Sequence, residues 1–157
     1  MNQQWPVAEL DPVRRLRVIA ATTPGVIYAE QHIPAPFGEV WAVASDLENE
    51  LPRIVADVRT FTITASAGER LQARARSRLG LRARFDVVLR PGWCLMQSRF
   101  LFFGMAAVPE DGGTRFAGLG ALRVPGARLL APLDRLLLTQ RLGYGAIDRL
   151  ADRARSR

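Results

Sequence analysis

The chain has 157 residues, of which 48% are hydrophobic, 24% charged and 8% aromatic, a composition that indicates one globular domain and excludes a disordered tail, a collagen and a disulfide scaffold. The net charge is +7 and all 22 basic residues are arginine, which excludes Schiff-base chemistry and a P-loop lysine and makes contact with an anionic partner plausible. The longest uncharged apolar run, Phe100 to Val108, is much shorter than the roughly 20 residues of a membrane-spanning helix, and Glu9 and Asp11 replace the basic start of a signal peptide. We therefore expect a cytoplasmic protein that does not span a membrane.

Residues 1–24 are predicted to form an N-terminal extension with one short helix. Asp11 and Pro12 are typical of an N-cap and a first helical residue, and the segment from Thr22 to Gly25 ends the helix. The main domain is predicted to span residues 25–157.

The main domain opens with a predicted strand over residues 26–33, which Pro34 and Pro36 terminate. One face of this strand would carry the side chains of Ile27, Ala29, Gln31 and Ile33.

Two short helices are predicted next. The first covers residues 37–45. Asp46 is interpreted as the N-cap of the second, which covers residues 47–50 and stops at Pro52.

Six further strands are predicted because apolar and polar residues alternate between glycine- and proline-containing turns. Gly118 and Gly120 inside the last strand indicate a bulge or a close approach of another group. The predicted strands cover residues 59–64, 71–79, 82–90, 93–99, 102–108 and 114–124.

The chain is predicted to end in one long amphipathic helix over residues 127–155, because apolar residues recur there at helical spacing. Gly143 and Gly145 are expected to bend it. This order of elements predicts an α+β fold in which a curved, seven-stranded antiparallel sheet wraps around the C-terminal helix. A curved sheet cannot pack flat on a helix about 10 Å wide, so a pocket is expected between them.

The segment from Ile33 to Trp41, IPAPFGEVW, followed by Asp46, resembles the START-like or SRPBCC superfamily of polyketide cyclase/dehydrase-like and lipid-transport proteins. The resemblance covers residues 26–155. It implies a helix-grip fold and a START-like ligand-binding domain over residues 25–157, with a hydrophobic ligand between sheet and helix. The quoted residues themselves are interpreted as folding residues, and the fold does not choose among the family's several activities.

Few residues favour catalysis. His32, the only histidine, is predicted to face away from the cavity, Cys94 is interpreted as a core residue, and Asp86 as an ion-pair partner of neighbouring arginines. Catalytic residues are therefore unknown, and we predict neither a metal nor a cofactor.

The candidate ligand-binding residues are those that alternation places on the apolar faces of the strands and of the last helix. They are Phe61, Ile63, Phe85, Val87, Leu95, Gln97, Met105 and Phe116 on the strands and Leu133, Leu137, Gln140 and Tyr144 on the helix. Gln31 is a further polar candidate, and a few polar groups among many apolar ones are typical of small-molecule pockets. Since only Arg59 and Arg99, at strand ends, could reach this space, the ligand is predicted to be uncharged and largely apolar. The alternative is that these side chains fill a dry core.

A second pattern is a basic face on the predicted sheet. The arginines that alternation places on its convex side are Arg74, Arg76, Arg78, Arg82 and Arg84. They could contact an anionic lipid surface, RNA or an acidic protein weakly, or they could form an ordinary solvated face. No DNA-binding motif is present.

The sequence thus favours binding, transport or sequestration of an uncharged hydrophobic small molecule over catalysis. One alternative is an aromatase/cyclase-like or dehydratase-like enzyme that positions a polyketide, with Tyr144, Gln97 or Gln31 supplying hydrogen bonds. Another is an interaction protein that uses the arginine-rich face.

Overall fold

The computed structural model describes residues 9–123 and 144–156, and these contain a seven-stranded antiparallel sheet and four helices. The elements in chain order are α1 (Pro12–Thr22), β1 (Ile27–Ile33), α2 (Phe37–Ser45), α3 (Leu51–Ile54), β2 (Val58–Ala67), β3 (Arg70–Ser77), β4 (Arg82–Arg90), β5 (Trp93–Gln97), β6 (Leu101–Glu110), β7 (Gly113–Leu122) and α4 (Gly145–Arg155). The predicted α+β class and the seven strands are confirmed, and so is the C-terminal helix over Gly145–Arg155. The rest of the predicted helix, residues 127–143, lies outside the described residues.

The strands are arranged in the order β1-β7-β6-β5-β4-β3-β2. All neighbours run antiparallel, so β1 and β2 are the two edges. The hairpins β3–β4 and β5–β6 turn at the same end of the sheet. The hairpin between β6 and β7 turns at Asp111 and Gly112, whose φ angles of 38° and 73° fit the left-handed conformation that such tight turns need.

Helix α1 begins where the sequence predicts. The side chain of Asp11 accepts a hydrogen bond of 2.9 Å from the backbone N–H of Arg14, and Pro12 occupies the first turn, where its missing N–H costs nothing.

The second of the two short helices predicted after β1 begins later than expected. Helix α3 starts at Leu51, and Pro52 lies in its first turn rather than stopping it. Asp46 does not cap this helix: it caps the turn before it, accepting bonds from the backbone N–H and the side-chain amide of Asn49. The sequence prediction was wrong because proline both ends helices and occupies their first turn.

Strand β7 contains no bulge, because its pairing with both neighbours runs without a shift. The close approach that the glycines also predicted does occur at Gly120, where a Cβ atom would lie 3.2 Å from the ring of Phe103.

The described residues form two hydrophobic clusters, one on each side of the sheet. The concave cluster contains α2, α3, α4 and the inward side chains of the sheet. The convex cluster contains α1, whose Val13, Leu16 and Ala20 are buried against β5, β6 and β7. The sheet is therefore a middle layer over part of its width, with helices on both faces.

Contact between α1 and the sheet is closest above Gly104 of β6. A Cβ atom at this glycine would lie 2.8 Å from a methyl group of Leu16 and within 3.2 Å of Leu95 and Leu119. Leu16 is completely buried, so the absence of a side chain at position 104 makes the depression that this leucine fills.

Removing the leucine should therefore unfold the N-terminal helix from the sheet or destabilise the whole chain. We expect Leu16→Ala to lower the free energy of unfolding by about 2–5 kcal/mol through lost burial and a cavity, and Gly104→Ala to lower it by about 1–3 kcal/mol through overpacking. Val18→Ala, on the exposed side of the same helix, should change it by less than about 0.5 kcal/mol. Urea titration followed by circular dichroism measures all three. Equal effects of the Leu16 and Val18 variants would show that α1 does not stabilise the fold.

Candidate functional site

The concave face of the sheet carries a row of three phenylalanines. The ring centroids of Phe61 and Phe85 are 5.9 Å apart, and those of Phe85 and Phe103 are 6.1 Å apart, each pair tilted by 40°. Phe61 and Phe85 are buried, whereas Phe103 is only partly buried. The row crosses from β2 to β6 and offers an apolar, aromatic surface to whatever lies above it.

Small residues lie beside this row. Ala75 and Ala83 face each other across β3 and β4, and both are only partly buried. On β7, a Cβ atom at Gly118 would have the carbonyl oxygen of Gly104, 3.9 Å away, as its nearest neighbour within the described residues. Short side chains next to phenylalanine rings give the concave face an uneven relief of ridges and hollows.

The concave face is uncharged over most of its width. From β3 to β7, every described strand residue that alternation directs inward lacks a charge. Polar groups occur at its margins: Gln31 of β1 donates a hydrogen bond of 3.3 Å to Asp148 of α4, and Glu48 accepts one of 2.8 Å from the backbone N–H of Ile63 on the edge strand β2.

Several of the predicted ligand-binding residues lie together on this face. Phe61, Phe85, Val87, Met105 and Phe116 all belong to the buried concave cluster. Ile63, which pairs with Ala73 of that cluster, shares the face because directly paired residues point to the same side.

Two predicted residues lie on the opposite face. Leu95 packs against the convex cluster, and Gln97 is exposed beside Asp86, with which it pairs. The inward residues of β5 are instead Cys94 and Met96.

The physical reason is that β5 is apolar on both sides. Trp93 is buried under α1, with the guanidinium of Arg15 5.5 Å from its ring centroid, so apolar and polar residues do not alternate and the sequence carries no period-2 signal there. The hairpin carries the missing information: Leu89 points inward and pairs with Cys94, which fixes the face of every later residue of β5.

Phe103 was missed although the sequence could have identified it. It follows Phe102 directly, and these neighbours point to opposite faces, Phe102 into the convex cluster and Phe103 into the concave one. Met105 was predicted to point inward, and alternation along β6 places Phe103 on the same face.

The candidates on the last helix are described only in part. Leu133, Leu137 and Gln140 lie outside the described residues. Tyr144 immediately precedes α4 and is 41% exposed, so it does not lie in a buried cavity wall.

Helix α4 is anchored against α3 by a buried carboxylate. Glu50 is only 2% exposed, and both of its oxygens accept hydrogen bonds from the guanidinium of Arg153, at 2.7 and 2.8 Å. Arg149 adds a bond of 2.7 Å to the carbonyl oxygen of Ile54. Paired, bidentate contacts of this kind fix orientation as well as distance, and they hold α4 against α3 on the concave side of the sheet.

The cysteine and the histidine, the side chains best suited to catalysis, are either unreactive or distant from the concave aromatic row. Burial raises the pKa of Cys94 to about 12, which keeps the thiol protonated and non-nucleophilic at neutral pH. His32 lies on the convex side of β1, as predicted, with its Nε2 3.3 Å from the carbonyl oxygen of Glu110. In the described part of the chain, no three His, Cys, Asp or Glu side chains are grouped so that they could hold a metal ion.

Glu30, isolated in the sequence, is the centre of an ionic network on the convex side. Its carboxylate accepts two bonds from Arg17 of α1, one of 2.6 Å from the hydroxyl of Tyr28, and one of 3.3 Å from Arg115. Burial tends to raise the pKa of this carboxyl, but the bonds from Arg17 and Tyr28 and the nearby positive charges outweigh it, so the pKa of Glu30 is lowered. The network ties α1 to β1 and β7.

Four of the five predicted basic-face arginines lie on the convex side of β3 and β4 and are exposed: Arg74, Arg76, Arg82 and Arg84. Arg78 is exposed too but lies beyond β3, which ends at Ser77, and its Nε donates to the carbonyl oxygen of Ala56. Leu79, which the predicted strand over residues 71–79 included, lies in the same turn and is 86% exposed.

No protein-family model and no curated protein matches the sequence, but solved structures match the fold. TTHA0849 from Thermus thermophilus has a TM-score of 0.63 at 22% identity, over 83% of this chain and 97% of that one. The Zhui aromatase/cyclase from Streptomyces sp. R1128 has a TM-score of 0.63 at 13% identity, over 84% and 94%. Ara h 8.0201 has a TM-score of 0.59 at 13% identity, over 84% and 98%. The chain thus has the helix-grip fold, which confirms at the level of the fold the resemblance to START-like proteins.

None of the helices in the described ranges combines the length and the apolar character that crossing a bilayer requires.

The network around Glu30 predicts a specific acid sensitivity. Because folding lowers the pKa of Glu30 below its ordinary value of 4.5, its ionised form stabilises the folded state above that value, and this stabilisation is lost as the pH falls through the folded-state pKa. We expect Glu30→Gln to be less stable than the wild type at neutral pH, with the difference shrinking below pH 4.5. Urea unfolding at a series of pH values measures this, and a difference that is independent of pH would contradict it.

Proposed function

We propose that the chain binds an uncharged, largely apolar small molecule between the concave face of the sheet and the C-terminal helix. The observation that carries this proposal is the aromatic row Phe61–Phe85–Phe103 on a face that is uncharged from β3 to β7. An apolar surface with a few polar groups at its margin is what a pocket for a hydrophobic ligand requires.

The ligand class follows from the same surface. A carboxylate or phosphate placed deep on this face would lose its hydration and find no charged partner, and burying an unpaired charge costs several kcal/mol or more. We infer a polyketide, an isoprenoid or an acyl chain with one or two hydrogen-bonding groups. An acidic headgroup would have to remain at the margin near Arg59 or Arg99, both of which are exposed.

Binding is favoured over catalysis by the positions of the polar residues. Gln97, one of three groups considered for a cyclase-like reaction, points away from the concave face. Gln31 is the remaining candidate on a strand, and its amide already donates to Asp148. Some proteins of similar fold carry the name aromatase/cyclase, but catalysis here would have to rely on positioning by Gln31 and Tyr144.

A substitution at Gly118 tests for a cavity, because this residue lies on the concave face beside Met105 and a Cβ atom added to it would have no described side chain within 4 Å. We expect Gly118→Leu to weaken the binding of an environment-sensitive apolar dye, and of fatty acids or aromatic polyketides that displace it, by about ten-fold, while stability stays within about 1 kcal/mol of the wild type. Fluorescence titration and urea unfolding give the two numbers.

Gln97→Leu is the matched control, because it adds an apolar side chain of the same size to the convex face and should leave dye affinity unchanged. If Gly118→Leu lowers the free energy of unfolding by more than about 2 kcal/mol and the wild type binds no dye, the side chains fill a dry core. Stronger displacement by nucleotides or sugar phosphates than by fatty acids would overturn the ligand class.

A further inference from the structure

The turn between β3 and β4 presents two leucines to solvent. Leu79 is 86% exposed and Leu81 is 70% exposed. They belong to residues 78–81, which we call the leucine tip. Large apolar side chains grouped at one exposed point are uncommon on soluble domains and mark interaction sites.

Hydrogen bonds fix the conformation of the leucine tip. The backbone N–H of Ser77 donates to the carbonyl oxygen of Leu81 at 2.8 Å, and the hydroxyl of Ser77 accepts from the N–H of Leu81 at 3.1 Å. Gly80 has a φ of +85°, which suits glycine and lets the chain reverse. The side chain of Arg78 is bound to the carbonyl oxygen of Ala56. These contacts hold Leu79 and Leu81 outward rather than letting them fold back onto the sheet.

Directly behind the tip, on the convex face, two pairs of arginines oppose each other across β3 and β4. Arg76 pairs with Arg82, and Arg74 pairs with Arg84. Like charges in direct cross-strand register destabilise a sheet. None of the four makes an ion pair with another residue in the described ranges, so their mutual repulsion is not relieved within this part of the molecule.

Other apolar and basic groups lie at the same end of the sheet. The next hairpin, β5–β6, is displaced by two strand spacings, about 10 Å, and carries Phe100, which is 51% exposed, with the guanidinium of Arg99 5.2 Å from its ring centroid. The end of β7 carries the exposed Leu122 beside Arg123. Exposed apolar side chains flanked by arginine thus recur along this end of the sheet.

We propose that the leucine tip and the two arginine pairs behind it form a docking surface for an anionic lipid bilayer. Leu79 and Leu81 enter the boundary between headgroups and acyl chains, and the four guanidinium groups contact lipid phosphates. Apolar side chains next to a basic surface are the combination that holds a protein in the interface of an anionic membrane, because burial and electrostatic attraction act together. Phosphate oxygens would also relieve the repulsion within each arginine pair.

The exposed leucines favour a bilayer over a nucleic acid as the partner of this surface. The phosphates of RNA would be attracted by the same arginines, but two exposed leucines gain nothing from a phosphate backbone. No aromatic residue lies among the four arginines on the convex face of β3 and β4 for bases to stack on.

Vesicle sedimentation tests the proposal with the full chain, using vesicles of phosphatidylcholine with and without phosphatidylglycerol. We expect the wild type to bind only the anionic vesicles, with an affinity that falls as salt is added. The double variant Leu79→Ser/Leu81→Ser should bind them at least about ten-fold more weakly. Arg82→Gln should bind about five-fold more weakly and show a shallower dependence on salt.

The matched controls are exposed residues of the same types elsewhere. Leu10→Ser/Val18→Ser removes two exposed apolar side chains at α1, and Arg70→Gln removes an exposed arginine at the opposite end of β3. Both should bind like the wild type. Dye binding in the concave pocket should be unchanged in all four variants, so a failure of the docking surface is distinguishable from a failure of the proposed ligand site.

Three results would overturn the proposal. The first is no binding of the wild type to anionic vesicles, which would leave an acidic protein as the partner of this surface. The second is undiminished binding by Leu79→Ser/Leu81→Ser. The third is equal weakening by Arg82→Gln and Arg70→Gln, which would show attraction by net charge alone.

Discussion

The packing of Leu16 onto Gly104 determines how each part of the sheet is used. Because this contact seats α1 on the convex side of β5, β6 and β7, that part of the sheet is buried on both faces. The convex residues of β2 and β3, such as Thr62 and Arg74, are exposed. One side of the molecule is thus a three-layer structure and the other a sheet with one wet face. The arginine pairs could occur only on the wet side, since burying four guanidinium groups under a helix without carboxylate partners would be too costly.

The same division explains which parts of the fold could be predicted from the sequence. On β3 and β4 one face is wet, so alternation is clean and the inward positions of Phe85 and Val87 are confirmed. On β5 both faces are dry, the alternation disappears, and Leu95 and Gln97 were assigned to the wrong side. The sequence of α1 predicts a helix but not the surface that it covers. That surface depends on a glycine far away in the chain, and nothing local to either segment reveals the match.

The candidate site was predictable where it depends on single strands and not where it depends on pairing. Phe61 and Phe116 follow from local patterns, and Phe103 follows from Met105 by alternation, whereas the inward residues of β5 require its pairing with Leu89 of β4. Helix ends showed a similar limit. A proline such as Pro52 is common both after the end of a helix and in its first turn, so the local sequence fits either position. Only the packing of Leu51 and Ile54 into the concave cluster distinguishes the two positions.

The connection between α3 and β2 links the helices on the concave face to the leucine tip. A side chain of α4 donates a hydrogen bond to the carbonyl oxygen of Ile54, and Arg78 of the tip donates to the carbonyl oxygen of Ala56, two residues further along the chain. The tip also lies close to the aromatic row, because Ala75 of β3, which is only partly buried, pairs with Phe61. A bilayer docked on the tip would therefore lie next to the aromatic row, and an apolar ligand could pass between lipid and protein over a short path with little exposure to water.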